Sequence, residues 1–176
     1  MTLVLQQIQT LEELYQIKEL YISSFPAGQR DSFEGLRLQL DTEKDCSIYQ
    51  IKIENTVAGF FTLWRFQGFS YLEHIATMPN FRCKGMGREV LSLITSGQKT
   101  PLLLEIEKPH DALSLRRLRF YERNGFHLIP VPYSNPCQDR NNPGTELLLM
   151  VNKPNLELET IQSFVNTLYR RVYHLS

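Results

Sequence analysis

Apolar and polar positions along the chain alternate in some stretches and recur at helical spacing in others, which divides it into short strands and helices. Leu3 to Ile8 alternates and predicts a first strand, and Thr10-Leu11-Glu12-Glu13, with capping-box spacing, opens a helix to about Phe25. Pro26-Ala27-Gly28 breaks that helix, and Asp31 is placed to cap a second one through Leu40, with Phe33, Leu36 and Leu40 as its apolar stripe. Ser47 to Glu54 and Thr56 to Phe66 are rich in β-formers and meet at Asn55, which predicts an antiparallel hairpin. Tyr71 to Thr77 continues the meander until Pro79, and Arg88 to Thr95 carries Val90, Leu91 and Ile94 at helical spacing. Pro101 to Glu107 reads as an apolar strand that can lie parallel to Tyr71 to Thr77, the intervening helix supplying the crossover. Asp111 caps a predicted helix to Asn124, Gly125 suits its C-terminal cap, and Phe126 to Val131 and Glu146 to Asn152 read as final strands. The proline- and asparagine-rich loop from Pro132 to Gly144 is expected to be mobile. Last comes a helix from about Glu157 to Leu175, in which Leu158, Ile161, Val165, Leu168 and Val172 form one apolar seam. Its own domain or a second subunit must cover that seam.

At 176 residues the chain suits one domain with a sizeable core, here residues 1–152, with residues 153–176 as an added helix. Lysine plus arginine equals aspartate plus glutamate at 19 each, so no global field recruits nucleic acid or anionic membrane. Cys46, Cys83 and Cys137 are too scattered for a disulfide framework or a zinc site, so we expect reduced thiols and no metal, with Cys83 a small spacer. The opening MTLVLQQIQTLEEL has neither a basic leader nor a long apolar core, so a soluble, cytoplasmic protein is expected.

The chemistry concentrates where the strand ending at Thr77 meets the next helix. Arg82-Cys83-Lys84-Gly85-Met86-Gly87 combines two glycines, which admit close backbone approach, with the unpaired amides of a helix start and the charges of Arg82, Lys84 and Arg88. A pyrophosphate fits such a cradle. A dinucleotide fingerprint would place its glycines hard against the strand, and a P-loop would read Gly-Lys-Ser/Thr rather than Lys84-Gly85. The run does resemble the [R/Q]-x-x-G-x-[G/A] signature of the GNAT superfamily of acyl-CoA N-acyltransferases, with Ile75-Ala76-Thr77-Met78-Pro79-Asn80-Phe81 matching the preceding strand and turn. Phe120-Tyr121-Glu122-Arg123-Asn124-Gly125-Phe126 is similar to the F-Y-x-x-x-G-F that ends the fourth helix of that family. SFPAGQR, LLLEIE and the proline- and tyrosine-rich loop resemble uncharacterised bacterial members, and the likeness runs from about Leu3 to Val151. It implies a GNAT-like α/β fold: a mixed, mostly antiparallel sheet with a central parallel β-α-β unit, flanked by helices, plus the extra C-terminal helix.

The same resemblance implies acetyl-CoA as cosubstrate, its pyrophosphate on the backbone of Arg82, Cys83, Lys84, Gly85, Met86 and Gly87, next to Arg88. It implies a pantetheine arm pairing like an extra strand with Ile75, Ala76 and Thr77. Ser114 stands where the family more often has a ligand-contacting asparagine, and Tyr121 where it has a general-acid tyrosine. Arg117 replaces a usual alanine on a helix crowded with Arg116, Arg119 and Arg123, either a solvated face or a contact for the 3'-phosphate of CoA.

Acyl transfer to an amine needs a neutral nitrogen, yet an alkylamine with a pKa of about 10.4 is only about one part in a thousand neutral at pH 7. A base must help, and the departing thiolate gains from a proton donor. Candidate bases are Glu73 on the strand beside the donor, which we favour, and Glu105 and Glu107. The latter two share a strand face and serve either as electrostatic partners for the amine or as ion pairs of the basic helix. Alternation places His74 opposite Glu73, as a packing residue. These readings together predict an N-acetyltransferase that acts on a primary amine of a small molecule or peptide by direct attack in a ternary complex. A non-catalytic CoA-binding module is the alternative, and the C-terminal seam allows a homodimer; nucleic acid and membrane are not expected partners.

Overall fold

The structure is a computed structural model that describes residues 2–25, 27, 30–82, 85–133 and 146–175. They group into two compact units, Met1–Thr100 and Pro101–Ser176. The class expected is the one found among the described residues: a mixed sheet of seven strands, mostly antiparallel with one parallel pair, and six α-helices.

The first unit carries β1 (Leu3–Gln7), β2 (Cys46–Ile53), β3 (Thr56–Arg65) and β4 (Ser70–Thr77), antiparallel and in that spatial order. Between β2 and β3 both Glu54 and Asn55 have positive φ, 48° and 67°, as the tight hairpin turn requires. The capping box of Thr10 and Glu13 starts α1 (Leu11–Tyr15) as expected, but the predicted single helix divides into α1 and α2 (Lys18–Ser24). The last turn of α1 tightens, Ile17 N donating to Leu14 O at 3.2 Å, and this turns Ile17 fully into the core beside Leu14, Leu20 and Tyr21. Helix α3 (Phe33–Thr42) is capped by Ser32, whose hydroxyl accepts from Gly35 N at 3.0 Å, rather than by Asp31. The backbone carbonyl of Asp31 instead accepts from the Tyr21 hydroxyl at 3.1 Å.

Two backbone details shape β4. Gly59 pairs with Thr77, and a Cβ there would stand 2.4 Å from the Ala76 carbonyl oxygen, so only glycine lets the strands meet. The register then slips: Thr62 faces His74 but Leu63 faces Leu72, which leaves Glu73 as the extra residue of a β-bulge. After a short 3₁₀ turn at Pro79–Phe81, α4 (Met86–Ser96) begins two residues earlier than expected, with Gly85 at φ 77° as its N-cap.

The second unit holds β5 (Leu102–Glu107), α5 (Ala112–Arg123), β6 (His127–Leu128), β7 (Leu147–Val151) and α6 (Leu158–Arg171), its strands antiparallel in the order β5-β7-β6. Strand β6 is far shorter than the expected Phe126 to Val131. A three-residue turn around Pro130, with Val131 N donating to Ile129 O at 2.9 Å, ends the ladder. Asp111 caps α5 as expected, and the far end closes as a Schellman motif. Phe126 N donates to Tyr121 O at 3.1 Å, Gly125 N to Glu122 O at 3.1 Å, Gly125 has φ 83°, and the rings of Phe126 and Tyr121 meet edge to face at 5.9 Å. The F-Y-x-x-x-G-F pattern therefore has a local physical cause. On α6, Ile161, Phe164, Val165 and Leu168 are buried within the chain, as is Val172 just beyond it, while Leu158 at the start of the seam is 65% exposed. The loop expected to be mobile lies outside the described residues from position 134 to its end.

Candidate active site

The cradle lies in the first unit. Arg82 folds back on the strand end, its Nε donating to the Thr77 carbonyl oxygen at 3.0 Å. Gly85 gives α4 no side-chain cap, and among the described residues nothing stands within 4 Å of where its Cβ would be. Gly87 stands at the second helical position and the exposed Arg88 at the third, where the first turn of a helix and a guanidinium are the groups an anion site would use. Cys83 and Lys84, also assigned to the cradle, lie outside the described residues. Ile75 and Thr77 are half-buried and Ala76 is buried, paired across β3 with Phe61, Gly59 and Phe60 respectively.

The bulge sets the surroundings of Glu73. Strict alternation would point Glu73 and His74 to opposite faces; the extra residue cancels that step, and His74 Nδ1 stands 3.7 Å from Glu73 Oε2. The expected opposition of the two is thus corrected. Glu73 Oε2 accepts from Trp64 Nε1 at 2.7 Å and from Gln39 Nε2 at 3.3 Å. Only 14% of the Glu73 side chain is exposed. His74 is a packing residue, as predicted, edge-on to Phe25 at 4.7 Å and Tyr21 at 5.4 Å. Its burial pushes the imidazole pKa down to about 4, against the opposing pull of Asp31.

In the second unit Tyr121 is 8% exposed and packs edge to face on Phe120 and Phe126. Burial raises its phenol to about 12, slightly offset by Arg117, so the hydroxyl stays protonated at neutral pH. Ser114 is buried as the third residue of the α5 capping box. Its hydroxyl accepts from His110 N at 3.0 Å and Asp111 N at 3.1 Å and donates to Asp111 Oδ1 at 2.6 Å. Glu107 takes the ion-pair option, 3.3 Å from Arg117 Nη1. Glu105 accepts hydrogen bonds from the hydroxyls of Tyr133 and of Tyr173, the latter at 2.7 and 2.8 Å.

Residues 14–126 match the model of the acetyltransferase (GNAT) family. The chain belongs to the GNAT acetyltransferase family. It is 31% identical to a protein of Bacteroides thetaiotaomicron assigned to the same family, with a TM-score of 0.90 over 98% of this chain and 99% of that one. At lower identity the fold is shared with the ribosomal-protein-S18-alanine N-acetyltransferase of Escherichia coli: 16% identical, TM-score 0.61, over 89% of this chain and 100% of that one. It is shared too with an acetyltransferase of Bacillus subtilis in complex with CoA: 15% identical, TM-score 0.56, over 85% of this chain and 97% of that one. No curated protein matches the chain.

Within this GNAT acyltransferase the assigned residues fall into separate groups. Thr77, Arg82, Gly85, Met86, Gly87 and Arg88 gather at the start of α4, and Glu73 stands among Trp64, Gln39 and His74. Tyr121 and Ser114 occupy opposite ends of α5, Ser114 in the first turn and Tyr121 in the last. Reading the sequence had missed Gln39, Trp64, Tyr133 and Tyr173 as partners of the strand carboxylates. Gln39 was findable, since it stands three residues after Leu36 and so on the face that α3 buries. Tyr173 was not, because 68 residues separate it from Glu105. Among the described residues no cluster of three potential metal ligands occurs, and no helix is long and apolar enough to cross a membrane.

Proposed function

We propose that this protein is an N-acetyltransferase that moves the acetyl group of acetyl-CoA to a primary amine of a small molecule or a peptide, by direct attack within a ternary complex. The observation that carries this is the start of α4: a left-handed Gly85 with nothing among the described residues within 4 Å of where its Cβ would be, a first turn without a side-chain cap, and Arg88 beside it. A diphosphate complements that arrangement in charge and in hydrogen-bonding capacity. When bound, acetyl-CoA supplies a thioester whose acyl carbon an amine can attack. Arg82, Gly85, Met86, Gly87 and Arg88, with Cys83 and Lys84, hold the diphosphate, and the backbone of Ile75, Ala76 and Thr77 orients the pantetheine arm. Glu73 takes the proton of the attacking amine, and the Tyr121 hydroxyl gives a proton to the departing sulfur. Glu105, held by two phenols, contributes negative potential toward a cationic acceptor, while the charge of Glu107 is offset by its pair with Arg117. Ser114 acts through the capping box, fixing the first turn of the helix whose last turn carries Tyr121.

Thermal shift tests the cradle. Acetyl-CoA should raise the melting temperature while NAD and ATP do not, and Gly87→Glu, which adds bulk and negative charge at the helix start, should abolish the shift without lowering the melting temperature of the apo protein. An unchanged shift in Gly87→Glu would remove the α4 start from the function.

A further inference from the structure

The carboxylate at the β4 bulge is held from two elements. Trp64 on β3 reaches Glu73 Oε2 through its indole N–H at 2.7 Å, and Gln39 on α3 donates to the same oxygen at 3.3 Å while also reaching Cys46 Sγ at 3.3 Å. We propose that Trp64 and Gln39 are positioning residues that fix the Glu73 carboxylate in the orientation in which it takes the acceptor's proton. This rests on Glu73 being the base.

Three features carry it beyond simple satisfaction of a buried acid. First, the donor is rigid: Trp64 is 1% exposed, pairs across the sheet with Cys46 on β2 and Tyr71 on β4, and stacks on Phe66 at 5.7 Å. A glutamate in a strand has three side-chain torsions, the last of them broad, so an immobile N–H on one oxygen sets the plane of the carboxylate. Second, an indole and a carboxamide orient the group without cancelling its charge, whereas a guanidinium or ammonium would draw down its basicity more strongly. Third, both donors depend on the bulge, without which Glu73 would point away from the face that carries His74. The proton transferred is one from the acceptor nitrogen, which becomes the neutral amide nitrogen as the carboxylate becomes a carboxylic acid.

Trp64 is the sole tryptophan of the chain, so its fluorescence reports on the oxygen it bonds. The titratable neighbours among the described residues include His74 on β4, Cys46 on β2 and Tyr21 on α2, with Asp31 and Arg30 near His74 and Glu43 and Arg65 near Cys46. Burial and the Glu73 charge push the Cys46 thiol and the Tyr21 phenol up, and His74 is neutral above about pH 4, so these stay neutral through a range of pH 5 to 8. The experiment compares wild type, Trp64→Phe, Gln39→Met, Glu73→Gln and the Trp64→Phe/Glu73→Gln double variant by pH-rate profile, with the emission titration of the tryptophan-containing proteins alongside. Trp64→Phe should lower kcat about tenfold, leave the KM for acetyl-CoA unchanged and move the acidic limb to higher pH, because a donor to the charged form is lost. Gln39→Met should do the same to a lesser degree, and it preserves the test should Trp64→Phe fail to fold. In the Glu73→Gln background Trp64→Phe should add nothing, and Glu73→Gln should erase the wild-type emission step. A slow Glu73→Gln beside Trp64→Phe and Gln39→Met variants with the wild-type rate and profile overturns the positioning. An equal loss from Trp64→Phe in both backgrounds overturns it too, as a structural effect. A Glu73→Gln protein that turns over at the wild-type rate overturns the base itself, and the positioning with it.

Discussion

Burial decides the charge state of the imidazole at the bulge. His74 shows it, because its Nδ1 has no hydrogen-bond partner among the described residues and its pKa is driven from 6.5 to about 4. Between those values the unfolded chain binds a proton that the folded one refuses, so stability falls as the pH drops from 6.5 toward 4 and is fully present only above that window. At about 1.4 kcal/mol per pKa unit the contribution is about 3 kcal/mol. Chemical denaturation of His74→Leu across this range should show a shallower acid-side loss than wild type, by about that amount; equal slopes would contradict a buried, neutral imidazole. At the same scale, the sequence showed which carboxylates stand in strands but not what they meet. Glu105 was expected to draw an amine or an arginine, and the structure adds two tyrosine hydroxyls from residues 28 and 68 positions away in the chain.

Elements whose signals are local were legible before the structure. The capping box at Thr10, the Asp111 cap, the Asn55 hairpin and the Gly125 helix end each depend on contacts a few residues apart. The β4 bulge and the early end of β6 were not, since one arises from register against another strand and the other from a single proline-centred turn. The C-terminal helix was legible as an amphipathic seam, but its cover was not, because periodicity is blind to what lies opposite. Leu168, fully buried at the middle of the seam, supplies the test. Leu168→Asp should destabilise the protein by about 3 kcal/mol or more with no change in the mass measured by light scattering, while Leu158→Asp at the exposed end should shift stability by under about 0.5 kcal/mol. A Leu168→Asp protein that changes from dimer to monomer with its melting temperature intact would assign the seam to a second subunit.

Across the whole molecule, the balanced charge of 19 basic and 19 acidic side chains leaves recognition to local features rather than to a global field. The family is set by the match over residues 14–126, and the proposed chemistry by what the chain places at three points: the start of α4, the carboxylate at the β4 bulge and the buried phenol at the end of α5. A CoA-binding module without catalysis would need only the first. The measurement that separates the two is release of CoA thiol from acetyl-CoA over panels of small-molecule and peptide amines, made on wild type and on Tyr121→Phe. The account predicts release that depends on an added amine and that falls about a hundredfold in Tyr121→Phe, with acetyl-CoA affinity unchanged. Acetyl-CoA binding without amine-dependent release from any panel, or a Tyr121→Phe rate equal to wild type, would contradict it.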